Sequence, residues 1–203
     1  MATASLLNFT VPLSDVGQSV SGQGLLMPKL KWRFRILFID FGRSTPTTEL
    51  TKQVMTFKRP TIDFEDQVLD VYNSRVHYAG KPNWSDTSVD LRDDMQGNVT
   101  KLVGEQIQKQ FDFVNQASAS SASDYKFSLV CEILDGGNGA SEPIVLETWN
   151  LSGCYIKSAD YGDLDYKTSE PVTIKLDIKF DNAIQSPAGI GSAVARTLGT
   201  IAI

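Results

Sequence analysis

The sequence predicts a mainly β fold with one inserted helix, and three observations support this. From Val172 to Asp181 apolar and polar residues alternate without a break, as in a strand with one buried and one solvent face. Further extended stretches separated by turn residues occupy most of the chain, and only residues 98–115 keep the strong 3.6-residue spacing of an internal amphipathic helix. Because a lone strand cannot bury its apolar face, we expect a larger sheet or a closed barrel.

Size and composition limit the classes of protein. The chain has 203 residues, 41% of them hydrophobic, and a net charge of -5, which predicts one soluble domain with extended arms. It lacks the strongly basic balance of a protein that grips nucleic acid. The first residues do not resemble a secretory signal, and no stretch is apolar enough to span a membrane. Cys131 and Cys154 lack zinc-site spacing, and we expect small buried side chains rather than a disulfide.

The composition predicts an N-terminal arm at residues 1–28, a β domain at 29–185 and an apolar C-terminal arm at 186–203. The first arm is rich in Ser, Gly and Thr and has no apolar core of its own. The second arm carries one charged side chain, Arg196. Its helically spaced apolar residues are our candidate inter-subunit contact: Ile190, Val194, Leu198 and Ile201.

The first half of the β domain predicts four extended segments. Residues 31–41 form a strand with Trp32, Phe34, Ile36 and Phe38 on one face, and the apolar end of this strand predicts that both faces are covered. Residues 49–64 read as a second extended stretch, interrupted at Pro60. The remaining predictions are strands at 70–78 and 86–91, with a turn at 79–83 between them.

The second half predicts the helix at 98–115, a linker at 117–123 and a strand at 125–134. A glycine-rich turn at 135–141 leads to a strand that starts near Ile144. The stretch 146–182 then forms two strands joined by an acidic turn. Its second strand is the alternating one, residues 172–181.

Few residues suggest chemistry. Asp160, Asp163 and Asp165 around a glycine superficially resemble a calcium loop, but the bidentate glutamate is missing and a solvated turn is the better interpretation. Asp93 and Asp94 are candidates for metal binding or acid–base work, although a charged lead into the helix is more economical. His77 lies in a strand pattern, and motifs for serine hydrolases, nucleotide binding and zinc hydrolases are absent from the sequence. We therefore expect no catalytic role, no metal and no cofactor.

Taken together, four segments resemble the tail tube proteins of contractile-tailed bacteriophages, which are related to the tube subunits of type VI secretion and R-type bacteriocins. The segments are residues 33–41, 71–80, 90–99 and 147–184. Within the last segment, the matching pattern comprises Trp149, Asp163, Leu164, Phe180, Asp181 and Asn182. The likeness covers roughly residues 29–185, and the two arms are longer than a minimal tube subunit needs.

The resemblance implies a β-barrel or sandwich subunit that closes a larger barrel by forming hexameric rings, which stack into a tube. The tube would conduct double-stranded DNA into a host, inside a sheath and on a baseplate with terminator proteins. The implied location is a virion tail assembled in the host cytoplasm, with no membrane partner. The polar face of the alternating strand would then line the channel: Thr173, Lys175, Asp177, Lys179 and Asp181.

A soluble ligand- or carbohydrate-binding β-sandwich is the alternative function. Exposed aromatic residues clustered in loops would favour it, and Trp84 and Tyr161 are the only two that suggest such a site. An enzyme ranks third and requires Asp93, Asp94 or His77 to converge in one pocket.

Overall fold

A computed structural model describes residues 28–43, 47–136, 143–167, 169–187 and 189–191. Within these residues the chain forms eleven strands and two α-helices, α1 (Thr48–Gln53) and α2 (Asn98–Gln110). The strands are β1 (Phe34–Ile39), β2 (Val54–Phe57), β3 (Ile62–Val71), β4 (Ser74–Trp84), β5 (Thr87–Arg92), β6 (Phe111–Asp112), β7 (Ala117–Ser118), β8 (Phe127–Leu134), β9 (Val145–Asp160), β10 (Thr173–Lys179) and β11 (Asn182–Ser186). The mainly β prediction is confirmed, with a short second helix added.

The main sheet is antiparallel and has the strand order β1-β8-β9-β10-β5-β2, with β11 also paired to β9. The 16-residue strand β9 divides it into two parts. Sheet A contains β1, β8, β11 and the first part of β9. Sheet B contains the end of β9, from Tyr155 to Asp160, together with β10, β5 and β2.

Gly153 marks the point where β9 passes from sheet A to sheet B. Its φ is 68°, a left-handed conformation that favours glycine. A Cβ atom at this position would also collide with the carboxylate of Asp181, which follows β10. Backbone conformation and close approach therefore both require glycine where the long strand changes sheet.

The core is one cluster formed by the inner faces of the two sheets and by one face of α2. Ile174, Leu176 and Ile178 of β10 are buried, as the alternation predicts. Helix α2 contributes Val99, Leu102 and Val103, each completely buried. Its apolar face therefore packs inward, and burial of this stripe stabilises the helix more than its intrinsic propensity does.

The beginning of the chain differs from the predicted strands. Strand β1 is shorter than predicted and begins after Trp32, which is exposed. Ile36 and Phe38 are buried but Ile39 is exposed, so the prediction that both faces are covered is wrong for the single chain. The predicted extended stretch at 49–64 is wrong at its start, because α1 occupies it and buries Leu50 against the core.

The largest correction concerns the stretch 62–84. Instead of a strand at 70–78 and a turn at 79–83, it forms one long antiparallel hairpin of β3 and β4 that turns at Tyr72 and Asn73. The predicted turn residues 79–83 lie inside β4, where the pairing register shifts opposite Glu65. A glycine and a proline there mark a bulge in a two-stranded ribbon, not a chain reversal.

The chain divides into two units, residues 1–33 and 34–203. In the first unit only residues 28–33 are described, with a turn in which the Arg33 N–H donates to the Leu30 carbonyl at 3.2 Å. The predicted arm boundaries at 28 and 186 stay predictions. In the described part of the chain, no helix has the length and apolarity needed to cross a membrane.

Candidate functional site

The first candidate surface is the outer face of sheet B. Thr173, Lys175, Asp177 and Lys179 of β10 point away from the core, between fully buried neighbours. Asp181 keeps the alternation but lies beyond β10, where its carboxylate accepts a hydrogen bond from the Lys126 ammonium at 2.6 Å. The structure thus places four of the five predicted channel residues on one polar sheet face.

This face carries charges of both signs held in local pairs. Lys175 lies between Asp90 of β5 and Asp160 of β9 in the strand register. The Ser158 hydroxyl donates to the Asp177 carboxylate at 2.8 Å. The Lys179 ammonium donates to the Trp84 carbonyl at 2.5 Å. The sheet face is therefore hydrated and mixed in charge rather than strongly acidic or basic.

Asp86 is the ionic link at one end of this face. Its carboxylate contacts the ammonium groups of Lys157 and, at 3.1 Å, Lys179. Hydrogen bonds from these two lysines hold the pKa of Asp86 below its ordinary value. The reciprocal contact raises the pKa of Lys157. Asp86 stays ionised and connects the β4–β5 turn to both β9 and β10.

Sheet B has two edges without a strand partner among the described residues. At one edge β2 pairs only with β5. At the other, residues 157–160 of β9 pair only with β10, since β8 meets β9 no further than Cys154. The Gln110 side chain bonds the Ile156 N–H and carbonyl, both at 3.0 Å, and so covers the edge just before this stretch. Unpaired strand edges are templates for pairing with another chain.

The second candidate surface is the β3–β4 hairpin, whose residues are mostly exposed. Residues that are paired across strands share a face, so Leu69 and Val76 point the same way. Val71 and Tyr78 lie on that face too, and all four side chains are about half exposed. We call this set the apolar hairpin face; nothing in the described single chain covers it.

The opposite face of the hairpin is charged. The Arg75 guanidinium contacts the Asp70 carboxylate at 2.7 Å, and His77 Nδ1 lies 3.0 Å from Asp66. His77 therefore lies on an exposed ribbon beside one carboxylate, away from Asp93 and Asp94 in the topology. Among the described residues, His77 forms no cluster with Asp93 and Asp94, as an enzymatic role would require.

The two aspartates at the start of α2 have structural partners. The Asp94 carboxylate accepts from the Asn98 N–H at 2.8 Å, and the Asp93 carboxylate accepts from the Thr100 hydroxyl at 2.5 Å. Carboxylates in this position satisfy free N–H groups of the first turn and interact favourably with the helix dipole. The interpretation as a charged lead into the helix agrees with these contacts.

Of the remaining candidate residues, one is buried in the core and the others are exposed to solvent. Trp84 is only 9% exposed and packs beside Phe180, with ring centroids 5.6 Å apart, so its proposed role as an exposed loop aromatic is wrong. Tyr161 is exposed, as are Asp160, Asp163 and Asp165 of the acidic turn. Among the described residues, no group of three or more His, Cys, Asp or Glu side chains is placed to hold a metal ion.

Of the proposed C-terminal arm residues, the structure describes only Ile190. Ile190 is exposed, and its carbonyl accepts from the Gln185 N–H at 2.8 Å. The other three proposed arm residues, Val194, Leu198 and Ile201, lie outside the described residues. Cys131 and Cys154 are buried free thiols, as expected, and desolvation raises the pKa of each to about 12.

Chains from several solved structures share this fold. A chain from the anti-feeding prophage cap, a tube-terminating cap, superimposes with a TM-score of 0.60 at 13% identity, covering 84% of this chain and 100% of that chain. A chain from the PVC sheath/tube terminator in the extended state superimposes with a TM-score of 0.58 at 14% identity, covering 81% of this chain and 100% of that chain. A chain from the PVC sheath–tube complex superimposes with a TM-score of 0.53 at 13% identity, covering 79% of this chain and 93% of that chain.

No protein-family profile and no curated protein sequence matches the chain. The relationship is therefore one of fold, since identities this low establish architecture and not function. The superpositions nevertheless cover the full length of both terminator chains. The chain has the tail tube-like fold found in tube and tube-terminator assemblies of contractile injection systems.

Proposed function

We propose that this chain is a structural subunit of a contractile-tail inner tube, in which copies close into hexameric rings that stack around a central channel. The observation that carries the proposal is the β3–β4 hairpin, which presents Leu69, Val71, Val76 and Tyr78 to solvent. A two-stranded ribbon is marginally stable alone, and its exposed apolar residues favour a protein partner. A second copy of the same chain supplies that partner.

Ring closure follows from the strand directions in sheet B. All neighbouring strands are antiparallel, so β9 and β2 at the two edges run in opposite directions. The β9 edge of one copy beside the β2 edge of the next continues the antiparallel pattern. This pairing removes both free edges and requires no rearrangement of the sheet.

The closed barrel turns the polar face of sheet B towards the channel. Thr173, Lys175, Asp177 and Lys179 then line it, with Asp181 at the end of the strand. Because each phosphate contact resists sliding, a lining with charges of both signs suits passage of double-stranded DNA. The structures that share the fold include a sheath–tube complex and a baseplate, so we extend the proposal to sheath, baseplate and terminator partners in a virion tail.

The hairpin gives a matched test of self-association. Leu69→Ser/Val76→Ser removes two apolar side chains from one face, and Asp70→Asn/Arg75→Gln removes the ion pair from the other. Each full-length protein is examined by negative-stain electron microscopy and by light scattering over a range of concentrations. We expect rings or tubes with a central channel for the wild type and the Asp70/Arg75 variant, and dispersed folded monomers for the Leu69/Val76 variant.

Circular dichroism and thermal melting provide the folding control, because all four substituted side chains are exposed. Normal assembly of the Leu69/Val76 variant would show that the apolar hairpin face is not a self-association surface. A wild-type chain that stays monomeric at every concentration would overturn the tube proposal itself.

A further inference from the structure

The short turn between β6 and β7 is held in one conformation by a single carboxylate. Asp112 accepts hydrogen bonds from the Val114 N–H at 2.9 Å and the Asn115 N–H at 3.2 Å. It also accepts from the side-chain amides of Asn115 and Gln108, both at 2.7 Å. These donors lower the pKa of Asp112, so the carboxylate is ionised and occupied within its own turn.

The same turn exposes apolar side chains. Phe113 is 63% and Val114 87% exposed, and Phe111 supports Phe113 in an edge-on contact with ring centroids 5.1 Å apart. We call Phe113 and Val114 the apolar knob. Because Asp112 already orders the backbone beneath the knob, a contact made there loses little further conformational entropy.

The loop between β9 and β10 forms a complementary feature. It borders an open depression of about 360 Å³, lined on its apolar side by Tyr161, Leu164, Tyr166, Pro171 and Val172, of which Leu164 and Tyr166 are almost fully exposed. This volume lies at the lower end of the range for protein binding pockets. We call it the β9–β10 hollow.

Acidic side chains accompany the lining of the hollow, namely Asp163, Asp165 and Glu170. The knob brings no free carboxylate to them, since Asp112 is engaged by its own turn. The exposed amide of Gln116, next in the turn, can donate hydrogen bonds to these acidic groups. Apolar surface thus meets apolar surface, and amide donors meet carboxylate acceptors.

Knob and hollow lie at opposite ends of α2. At its start, the Asp93 carboxylate accepts from the Thr100 hydroxyl of the first turn, and the Asp93 N–H donates to the Val172 carbonyl at 3.0 Å, which places the hollow near this end. At its end, Gln110 bonds Ile156 of β9, and the knob follows within four residues. A 13-residue helix is about 20 Å long, so the two features of one chain do not meet.

We propose that the apolar knob of one copy enters the β9–β10 hollow of a copy in the adjacent ring. Different surfaces meet in such a head-to-tail contact, and repeating it generates an open stack rather than a closed dimer. The contact uses the β6–β7 turn and the β9–β10 loop, whereas ring closure uses the edges β2 and β9. The inference rests on the proposed tube function and adds the surface that joins one ring to the next.

Cysteine cross-linking tests the contact directly. In the full chain, Val114→Cys/Val172→Cys places one thiol on the knob and one beside the hollow. The two cannot bridge within a chain, because a disulfide requires Cα atoms within about 7 Å. The native thiols Cys131 and Cys154 are buried and protonated, so they contribute little background. The single variants Val114→Cys and Val172→Cys are the controls.

After mild oxidation we expect the double variant to give a ladder of covalent multimers that extends beyond six chains, and each single variant to stop at dimers. Rings or tubes seen by electron microscopy without this ladder would overturn the knob-and-hollow contact and leave the tube function intact. A ladder without rings would support the contact and overturn the tube function. If the double variant forms neither rings nor a ladder, both the contact and the tube function are overturned.

Discussion

The sandwich body and the β3–β4 hairpin contain the same kind of residue pattern but use it differently. In β10 every second side chain is apolar and buried by sheet A, sheet B and α2. Near the hairpin tip apolar side chains also share one face, yet Leu69 remains 56% exposed. The apolar face of β10 is buried within the chain, whereas the apolar hairpin face requires a partner to bury it. Amphipathic alternation therefore predicts a strand with a buried face but not which molecule buries it.

Two leucine truncations give the largest expected contrast between these regions. Leu102 of α2 is fully buried, so Leu102→Ala leaves a cavity and should lower the free energy of unfolding by about 2–5 kcal/mol. The same truncation in the hairpin, Leu69→Ala, should change it by less than about 0.5 kcal/mol in the monomer. Urea unfolding at a concentration below assembly measures both. Equal losses would mean that the hairpin packs on its own body.

Paired glutamines test the same contrast for buried polar groups. Gln106 is fully buried; its side chain accepts from the Gly42 N–H at 3.0 Å and donates to the Tyr125 carbonyl at 2.5 Å. Gln106→Met keeps the side-chain length but leaves two backbone groups unpaired. We expect a loss of about 1–3 kcal/mol in chemical unfolding. Gln67→Met, on the exposed hairpin, is the control and should leave the free energy of unfolding unchanged. An unchanged free energy of unfolding for Gln106→Met would show that water replaces both hydrogen bonds.

Sequence reasoning succeeded where one chain supplies all of the packing. The alternation in β10 and the helical spacing in α2 depend on a core that this chain builds itself, so periodicity reports burial correctly. The same alternation correctly predicts that Thr173, Lys175, Asp177 and Lys179 lie on the polar face of β10, while their role in lining a channel stays a prediction. The helix end was predicted too late: α2 ends at Gln110, and Val114 is an exposed residue of the following turn.

The sequence does not predict the β3–β4 hairpin, because glycine and proline lie at a bulge and not at the chain reversal. Its reversal at Tyr72 and Asn73 contains neither glycine nor proline, whereas the bulge at 79–83 contains both. The helical spacing predicts a helix through residue 115, whereas residues 113–116 form the β6–β7 turn, which depends on hydrogen bonds to Asp112. A carboxylate two or three residues before amide donors is the local signal that would have indicated this turn.

The smallest contrast compares two carboxylates that form ion pairs. Asp86 connects the β4–β5 turn to Lys157 and Lys179 and is partly shielded, whereas Asp70 pairs with Arg75 in a well-exposed position on the hairpin. Asp86→Asn should cost less than about 1 kcal/mol at neutral pH, as exposed pairs generally do. Asp70→Asn should have no measurable effect on unfolding of the monomer.

The pH dependence of stability gives a second test of the Asp86 ion pairs. Because the pKa of Asp86 is lowered in the folded protein, its ionised form stabilises the fold above the unfolded-state value of about 3.9. That contribution is lost as the pH falls through the lower folded-state pKa. Urea midpoints measured from pH 7 to pH 3 should therefore fall less for Asp86→Asn than for the wild type, with the curves converging below about pH 4. Parallel curves would show that the ion pairs of Asp86 with Lys157 and Lys179 contribute nothing measurable to the stability of the fold.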